Sequence, residues 1–288
     1  MTVLKEAQTD ALKDEMTDQL THQLTTQLTD ALGQPHQPVD PAIAPRIVCL
    51  VPSITELLCD LGLSACLVGR TGFCIHPAEV LAAIPKVGGT KDVHIEKIRA
   101  LAPTHVIVNI DENEKPTVDT LAQFVPHIIV THPLGPLDNL ALYRLLGGIF
   151  NAQKQALALC ARFEAAYQSL ASLAGQTDQR VLYVIWQDPW MTVSKDTYIA
   201  RMLALIGWQQ QTIDADARYP AFEWTPDLLA EIDEVILSSE PYRFTEVHVD
   251  AMEKQLGKPV RLVDGEMLSW YGSRAIQGLQ YLGELART

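Results

Sequence analysis

Apolar positions along the chain follow two rhythms. Short, nearly unbroken apolar runs at 46–50, 67–68, 105–109, 127–131, 181–186, 234–238 and 260–263 read as strands covered on both faces. Between them, apolar residues return every three or four positions, as they do in a helix with one buried stripe. Ala156, Leu159, Cys160, Phe163, Tyr167, Leu170 and Leu173 keep that spacing and predict a long helix over 152–174. Shorter helices are predicted from Pro52, where Leu57, Leu58 and Leu61 share a face, and at 95–101, 137–146, 199–206 and 273–286. Another starts at Thr225 with Pro226 in its first turn, and a further segment lies near 247–256. Ser53 and Glu56 have the spacing of a capping box. Gly62 and Gly147-Gly148 read as helix stops, and 69–90 as a loop. Strand and helix alternate throughout, so the fold class is α/β with mainly parallel sheets. The expected organisation is an N-terminal lobe over 45–150, a bridging helix over 151–178 and a C-terminal lobe over 179–288, with a ligand cleft between the lobes.

Residues 1–44 follow a third pattern. Thr9–Leu12, Thr17–Leu20, Thr21–Leu24, Thr25–Leu28 and Thr29–Leu32 all read T-x-x-L. A strict step of four drifts about 40° per repeat around a helix, so no single partner face can bury the whole stripe. The segment reads as a low-complexity, weakly helical tail, or as a short helix for self-association or docking. Pro35, Pro38, Pro41 and Pro45 mark its end as a linker.

Charge narrows the partners. Across 288 residues, 22 Lys+Arg against 35 Asp+Glu leave a net charge of −13. That is the wrong sign for neutralising nucleic-acid phosphates or docking on anionic lipid. No run approaches the roughly 20 apolar residues of a membrane-spanning helix. Cys49, Cys59, Cys66, Cys74 and Cys160 form no C-x-x-C pair and read as reduced thiols. Gly88-Gly89-Thr90-Lys91 lacks phosphate-loop spacing, and no nucleophile elbow, H-E-x-x-H or acid–base carboxylate pair occurs. Nucleotide binding is therefore not expected, and none of these signatures of catalysis is present.

Several segments carry a family resemblance in order: Arg46-Ile-Val-Cys-Leu-Val-Pro-Ser-Ile-Thr-Glu-Leu, Gly69-Arg-Thr-Gly-Phe-Cys-Ile-His-Pro, Pro85-Lys-Val-Gly-Gly-Thr-Lys-Asp and Ile95-Glu-Lys-Ile-Arg-Ala-Leu-Ala-Pro-Thr-His-Val-Ile-Val. Trp186-Gln-Asp-Pro-Trp-Met, Ser239-Glu-Pro-Tyr and Val263-Asp-Gly-Glu-Met-Leu-Ser-Trp-Tyr-Gly-Ser-Arg continue it. From Pro45 onward the chain resembles the class III, helical-backbone metal receptors, the ABC-transporter binding proteins for vitamin B12, haem and ferric siderophores. It is most similar to the cobalamin branch. The resemblance implies a receptor that holds a corrinoid between its lobes, works as a monomer and meets a permease. A ferric siderophore or haem receptor, and a cytoplasmic protein handling a metal cofactor, are the alternatives. The resemblance implies a periplasmic setting. The five cysteines, and the lack of an apolar run behind a basic start in 1–45, favour the cytoplasm.

A corrinoid is a broad, flat ring fringed with amides, so it calls for aromatic contact and a few polar clamps. Phe73 stands where the family places an aromatic against the ring, with His76 close by as clamp or axial ligand. Trp186, Trp190 and Trp270 fall at or just beyond strand ends, and Tyr219 and Tyr242 in loops. Thr90 and Asn109 supply hydrogen-bonding groups; Asn109 precedes the acidic turn Asp111-Glu112-Asn113-Glu114. Asp264 and Arg274 match the second lobe's contact region, where Arg274 suits carboxylate or amide recognition, or an ion pair. Arg70, Arg218 and Arg274 are few cations for an anionic chelate. Glu96 matches the family's docking acid in the first lobe, and Asp227 lies one residue from that position in the second.

Overall fold

The computed structural model describes residues 28–171 and 178–287; the T-x-x-L repeat as far as residue 27 lies outside them. The chain divides into two compact units. The first takes the chain up to Val51, Leu58–His132 and Ala141–Leu157; the second takes Pro52–Leu57, Pro133–Leu140 and the chain from Ala158 on. Among the described residues no helix is long and apolar enough to cross a membrane.

Unit 1 is built on β1 (Ile47–Cys49), β2 (Leu67–Arg70), β3 (His105–Asn109) and β4 (His127–Thr131). They form one parallel sheet in the order β2-β1-β3-β4. Both faces of such a sheet are covered, which is why its strands read as continuous Val/Ile runs rather than alternating ones. Val48, Leu50, Val106, Val108 and Val130 meet Ile98 and Leu121 in the core. The helices in chain order are α1 (Pro52–Asp60), α2 (Ala78–Leu81), α3 (Ile95–Ala100), α4 (Lys115–Leu121), α5 (Asp138–Ile149) and α6 (Gln153–Ala171). The division between the units falls within α1, α5 and α6.

Unit 2 centres on β5 (Gln179–Trp186), β8 (Glu234–Ser238) and β9 (Val260–Val263), all parallel. Two short strands sit beside β5: β6 (Met191–Thr192), antiparallel, and β7 (Trp208–Gln210), parallel. Its helices are α7 (Tyr198–Ala204), α8 (Pro226–Glu231), α9 (Glu246–Leu256), α10 (Gly265–Ser269) and α11 (Ala275–Leu285). Thr225 caps α8 by accepting from the Leu228 amide. Leu182, Val184, Val235, Leu237, Phe222 and Phe244 pack one core of this unit.

Three departures from the sequence reading have physical causes. First, α5 does not stop at Gly147-Gly148 but runs to Ile149. A Cβ on residue 147 would lie 2.5 Å from that of Ala156, and one on residue 148 would collide with Leu28. These glycines permit close packing rather than ending the helix. Second, α1 begins at Pro52, so Ser53 lies inside the first turn and not at the cap. Its hydroxyl is buried without a hydrogen-bond partner, and Glu56 turns to Arg274 instead. Third, residues 28–44 are not a loose extension of the tail: Leu28 and Asp30 are buried in unit 1.

That segment folds into a hook. The Asp30 side chain accepts from the amides of Leu32, Gln34 and Val130, at 3.0, 3.0 and 3.1 Å. It also lies 3.2 Å from His36 Nε2. The Ala31 amide donates to the Val130 carbonyl at 2.9 Å. At the starts of β3 and β4 His105 stacks on His127, with centroids 4.7 Å apart, and meets Phe150 edge-on. Burial, with His127 and His36 adding to it, pushes the His105 pKa down to about 4.

Candidate functional site

In parallel α/β sheets, loops after the strand C-termini are the usual place for ligands. In unit 1 the loop after β2 is organised from within by Arg70. This buried guanidinium donates to the carbonyls of Leu81, Thr71 and Cys74 at 3.1, 3.1 and 2.9 Å. The loop holds Cys74 inside and turns Phe73 outward, 62% exposed, with Ile75 also exposed. His76 is half-buried and joins Pro77 through a cis peptide bond.

The loop after β3 is braced by two buried asparagines. Asn113 donates to the Thr90 carbonyl at 2.8 Å and accepts from the Asn109 amide at 2.9 Å. Asn109 in turn accepts from the Asp111 amide at 2.8 Å and donates to Thr131 at 3.5 Å. Asn109, offered by the sequence as a ligand donor, is thus engaged in holding its own turn, and the Thr90 carbonyl is engaged as well. Ile110 stands exposed beside them, and Asp111 lies 3.4 Å from His132.

In unit 2 the loop after β5 begins at Trp186, which is 39% exposed and meets Tyr242 edge-on at 5.5 Å. Trp190 is packed inward, parallel to Phe244 at 6.2 Å and edge-on to Trp224 at 5.6 Å. Tyr242 leans on Phe244 and His248. Tyr219 is 37% exposed, with the Arg218 guanidinium 5.8 Å from its ring centre.

The loop after β9 is a closed polar network. Asp264 is the N-cap of α10, accepting from the Glu266 and Met267 amides. Arg274 is buried and makes two bonds to Glu56, at 2.8 and 2.7 Å. It also lies 3.1 Å from Glu266 and 5.0 Å from the ring centre of Trp270. Trp270 itself is only 8% exposed. Ser269 donates to Glu240 at 2.6 Å. Burial raises the Glu240 pKa, Glu266 and Asp264 add to the rise, and the Ser269 and Trp270 bonds oppose it. Asp264, Trp270 and Arg274 are thus each engaged in contacts within this network.

The outward-facing aromatics among the sequence candidates are Phe73, Trp186 and Tyr219. Ile75 and Ile110 join them, although nothing in a single sequence separates an exposed loop isoleucine from a core one. Glu56, the partner that neutralises Arg274, lies 218 positions away in sequence, and its local pattern pointed to a helix cap instead. The two carboxylates that the resemblance offers for docking lie on first turns of short helices, Glu96 on α3 and Asp227 on α8. Glu96 is exposed and 3.5 Å from Arg99. Among the described residues no group of three or more His, Cys, Asp or Glu is placed to hold a metal.

Comparison with known proteins follows the same outline. A family model described as "Periplasmic binding protein" matches residues 47–244. A curated relative, an uncharacterized ABC transporter substrate-binding lipoprotein (YvrC) of Bacillus subtilis, is 25% identical over 258 residues, 83% of this chain and 79% of its own. Among solved structures, the periplasmic vitamin B12 binding protein BtuF of Vibrio cholerae superposes with a TM-score of 0.68 at 20% identity, covering 85% of this chain and 98% of that one. The periplasmic haem-binding protein HutB of Vibrio cholerae gives 0.70 at 18%, covering 85% and 100%. A periplasmic haem-binding protein of Pseudomonas aeruginosa gives 0.72 at 19%, covering 84% and 92%.

Proposed function

The chain belongs to the periplasmic binding protein family, and from that premise we propose that it is the substrate-binding component of an ABC transporter and that its ligand is a corrinoid such as cobalamin. The observation that carries the corrinoid reading is the mismatch between exposed apolar surface and available positive charge. In unit 1 Phe73, Ile75 and Ile110 are exposed in the loops after the strands, and in unit 2 Trp186 and Tyr219 are exposed. Arg70 and Arg274 direct their guanidinium groups to protein carbonyls and carboxylates. An uncharged, amide-fringed ring suits such a surface. An anionic iron chelate would demand cations, and these two guanidinium groups are already engaged within the protein. Glu96 and Asp227 are the exposed carboxylates offered to a permease.

A second reading, haem, has its own support. Solved haem-binding proteins share the fold. Tyr219, exposed beside the Arg218 guanidinium, and His76 are side chains of the type that ligate haem iron.

Titration of the purified chain with cyanocobalamin and, separately, with haemin separates the two readings. The corrinoid reading expects one-to-one quenching of tryptophan emission by cyanocobalamin, with shifts in the corrin bands. No response up to roughly 100 μM, where even a site of about −5.5 kcal/mol would register, would overturn it. A Soret shift with haemin that is lost in Tyr219→Phe or His76→Ala would establish the second.

A further inference from the structure

The hook at residues 28–39 is not used by the ligand reading, and the family match begins only at residue 47. We propose that this hook is a detachable clasp that seals the free edge of β4 against pairing with a second copy of this chain. β4 is the terminal strand of its sheet, so one row of its backbone groups faces away from β3. The hook takes both groups of Val130: its amide donates to Asp30, and its carbonyl accepts from Ala31. The strand itself, His127-Ile-Ile-Val-Thr, has β-branched residues at four of five positions and no proline or charged carboxylate or amine. Such an edge, left bare, is a template for strand addition, and an identical edge on another copy is the nearest match in register and pattern.

The opposite edge of the sheet shows the same solution made from the core fold. There β2 is closed by Pro85 and Val87, whose carbonyl and amide pair with the amide and carbonyl of Arg70. The β2 seal is continuous with the core, since Val87 is fully buried. The β4 seal hangs on fewer points. One carboxylate, Asp30, gathers the Leu32, Gln34 and Val130 amides and the His36 ring. Leu28 rests against Gly148, where any Cβ would displace it. The Val39 amide donates to the Ile149 carbonyl, and the Asn151 side-chain amide donates to the Val39 carbonyl. Leu32 and Ile43 are exposed, so much of the segment buries little apolar surface. Its buried anchors are Leu28, Asp30 and the His36 ring, and a segment held by so few side chains opens before the sheet does.

Two full-length variants test this from opposite sides: Asp30→Ala removes the organising carboxylate, and Gly148→Val fills the seat of Leu28 while keeping every hydrogen-bonding group of the hook. Amide exchange at Val130 and Ala31, proteolysis within 28–44 and light-scattering mass against concentration are the readouts. The clasp expects exchange at least roughly tenfold faster in both variants, cleavage of the hook, an unchanged far-ultraviolet spectrum and a concentration-dependent dimer. Unchanged exchange in a folded variant would overturn detachability. An exposed edge that stays monomeric at every concentration would overturn the second-copy role. Loss of folding in both variants would show the hook to be integral to the sheet, and would overturn the proposal equally.

Discussion

The loops at the strand C-termini of the two units carry similar residue types in opposite states. In unit 1, the buried Arg70 and Asn113 hold their loops from inside, and Phe73, Ile75 and Ile110 are left facing solvent. In unit 2, the loop after β9 turns its charged and aromatic groups inward, so that Arg274, Glu56, Glu266 and Trp270 satisfy one another. The difference teaches that residue type at a strand end does not establish availability. A polar group already matched by a buried partner has little left to offer a ligand, because breaking that match leaves an unpaired charge behind.

The largest test of this contrast is Arg274→Ala. It leaves Glu56 and Glu266 without their cation, and the unfolding free energy by urea should fall by about 3–5 kcal/mol. A loss under about 1 kcal/mol, with ligand affinity abolished, would instead make Arg274 a ligand contact. The next concerns the far end of the unit 1 sheet. His105 binds its proton less tightly folded, near pH 4, than unfolded, near pH 6.5. Between those values the unfolded chain holds more protons. The contribution of this group to stability should therefore fall as pH drops from about 6.5 to about 4, and then level off. His105→Gln should flatten that slope in urea titrations across the range.

On the exposed side, Phe73→Ala and Trp186→Ala should each weaken cyanocobalamin binding roughly 10- to 100-fold by fluorescence titration. Their unfolding midpoints should move by no more than the equivalent of about 0.5 kcal/mol, since neither side chain is buried. The smallest effect is expected for Asp264→Ala, which removes the α10 cap. It should cost about 1 kcal/mol of stability and leave ligand affinity unchanged. A tenfold affinity loss there would return Asp264 to the ligand surface.

The strands β3, β4, β8 and β9 stand at the bounds their apolar runs imply, because a strand buried on both faces writes its full length as hydrophobicity. The helix α4 at Lys115–Leu121 was not legible: it is short, and Pro116 at its start reads equally as a turn. The strands β6 and β7 were too short to leave a period. Gly147-Gly148 has the local look of a stop, and only Ala156 and Leu28 packed against it reveal what the glycines are for.

Hydrophobic rhythm and ordered motifs are local properties of the chain, and they were enough to give the α/β class, the mainly parallel sheets and the family. The sequence by itself also named Phe73, Trp186 and Tyr219 among its candidates. Tertiary structure alone decided which candidates face outward. It paired Arg274 with Glu56 across 218 positions, made Asp264 a cap and laid Asp30 on the edge of β4. Each of these is a contact between distant segments, and the free energy of a buried polar group depends on the partner it meets, which no local pattern encodes.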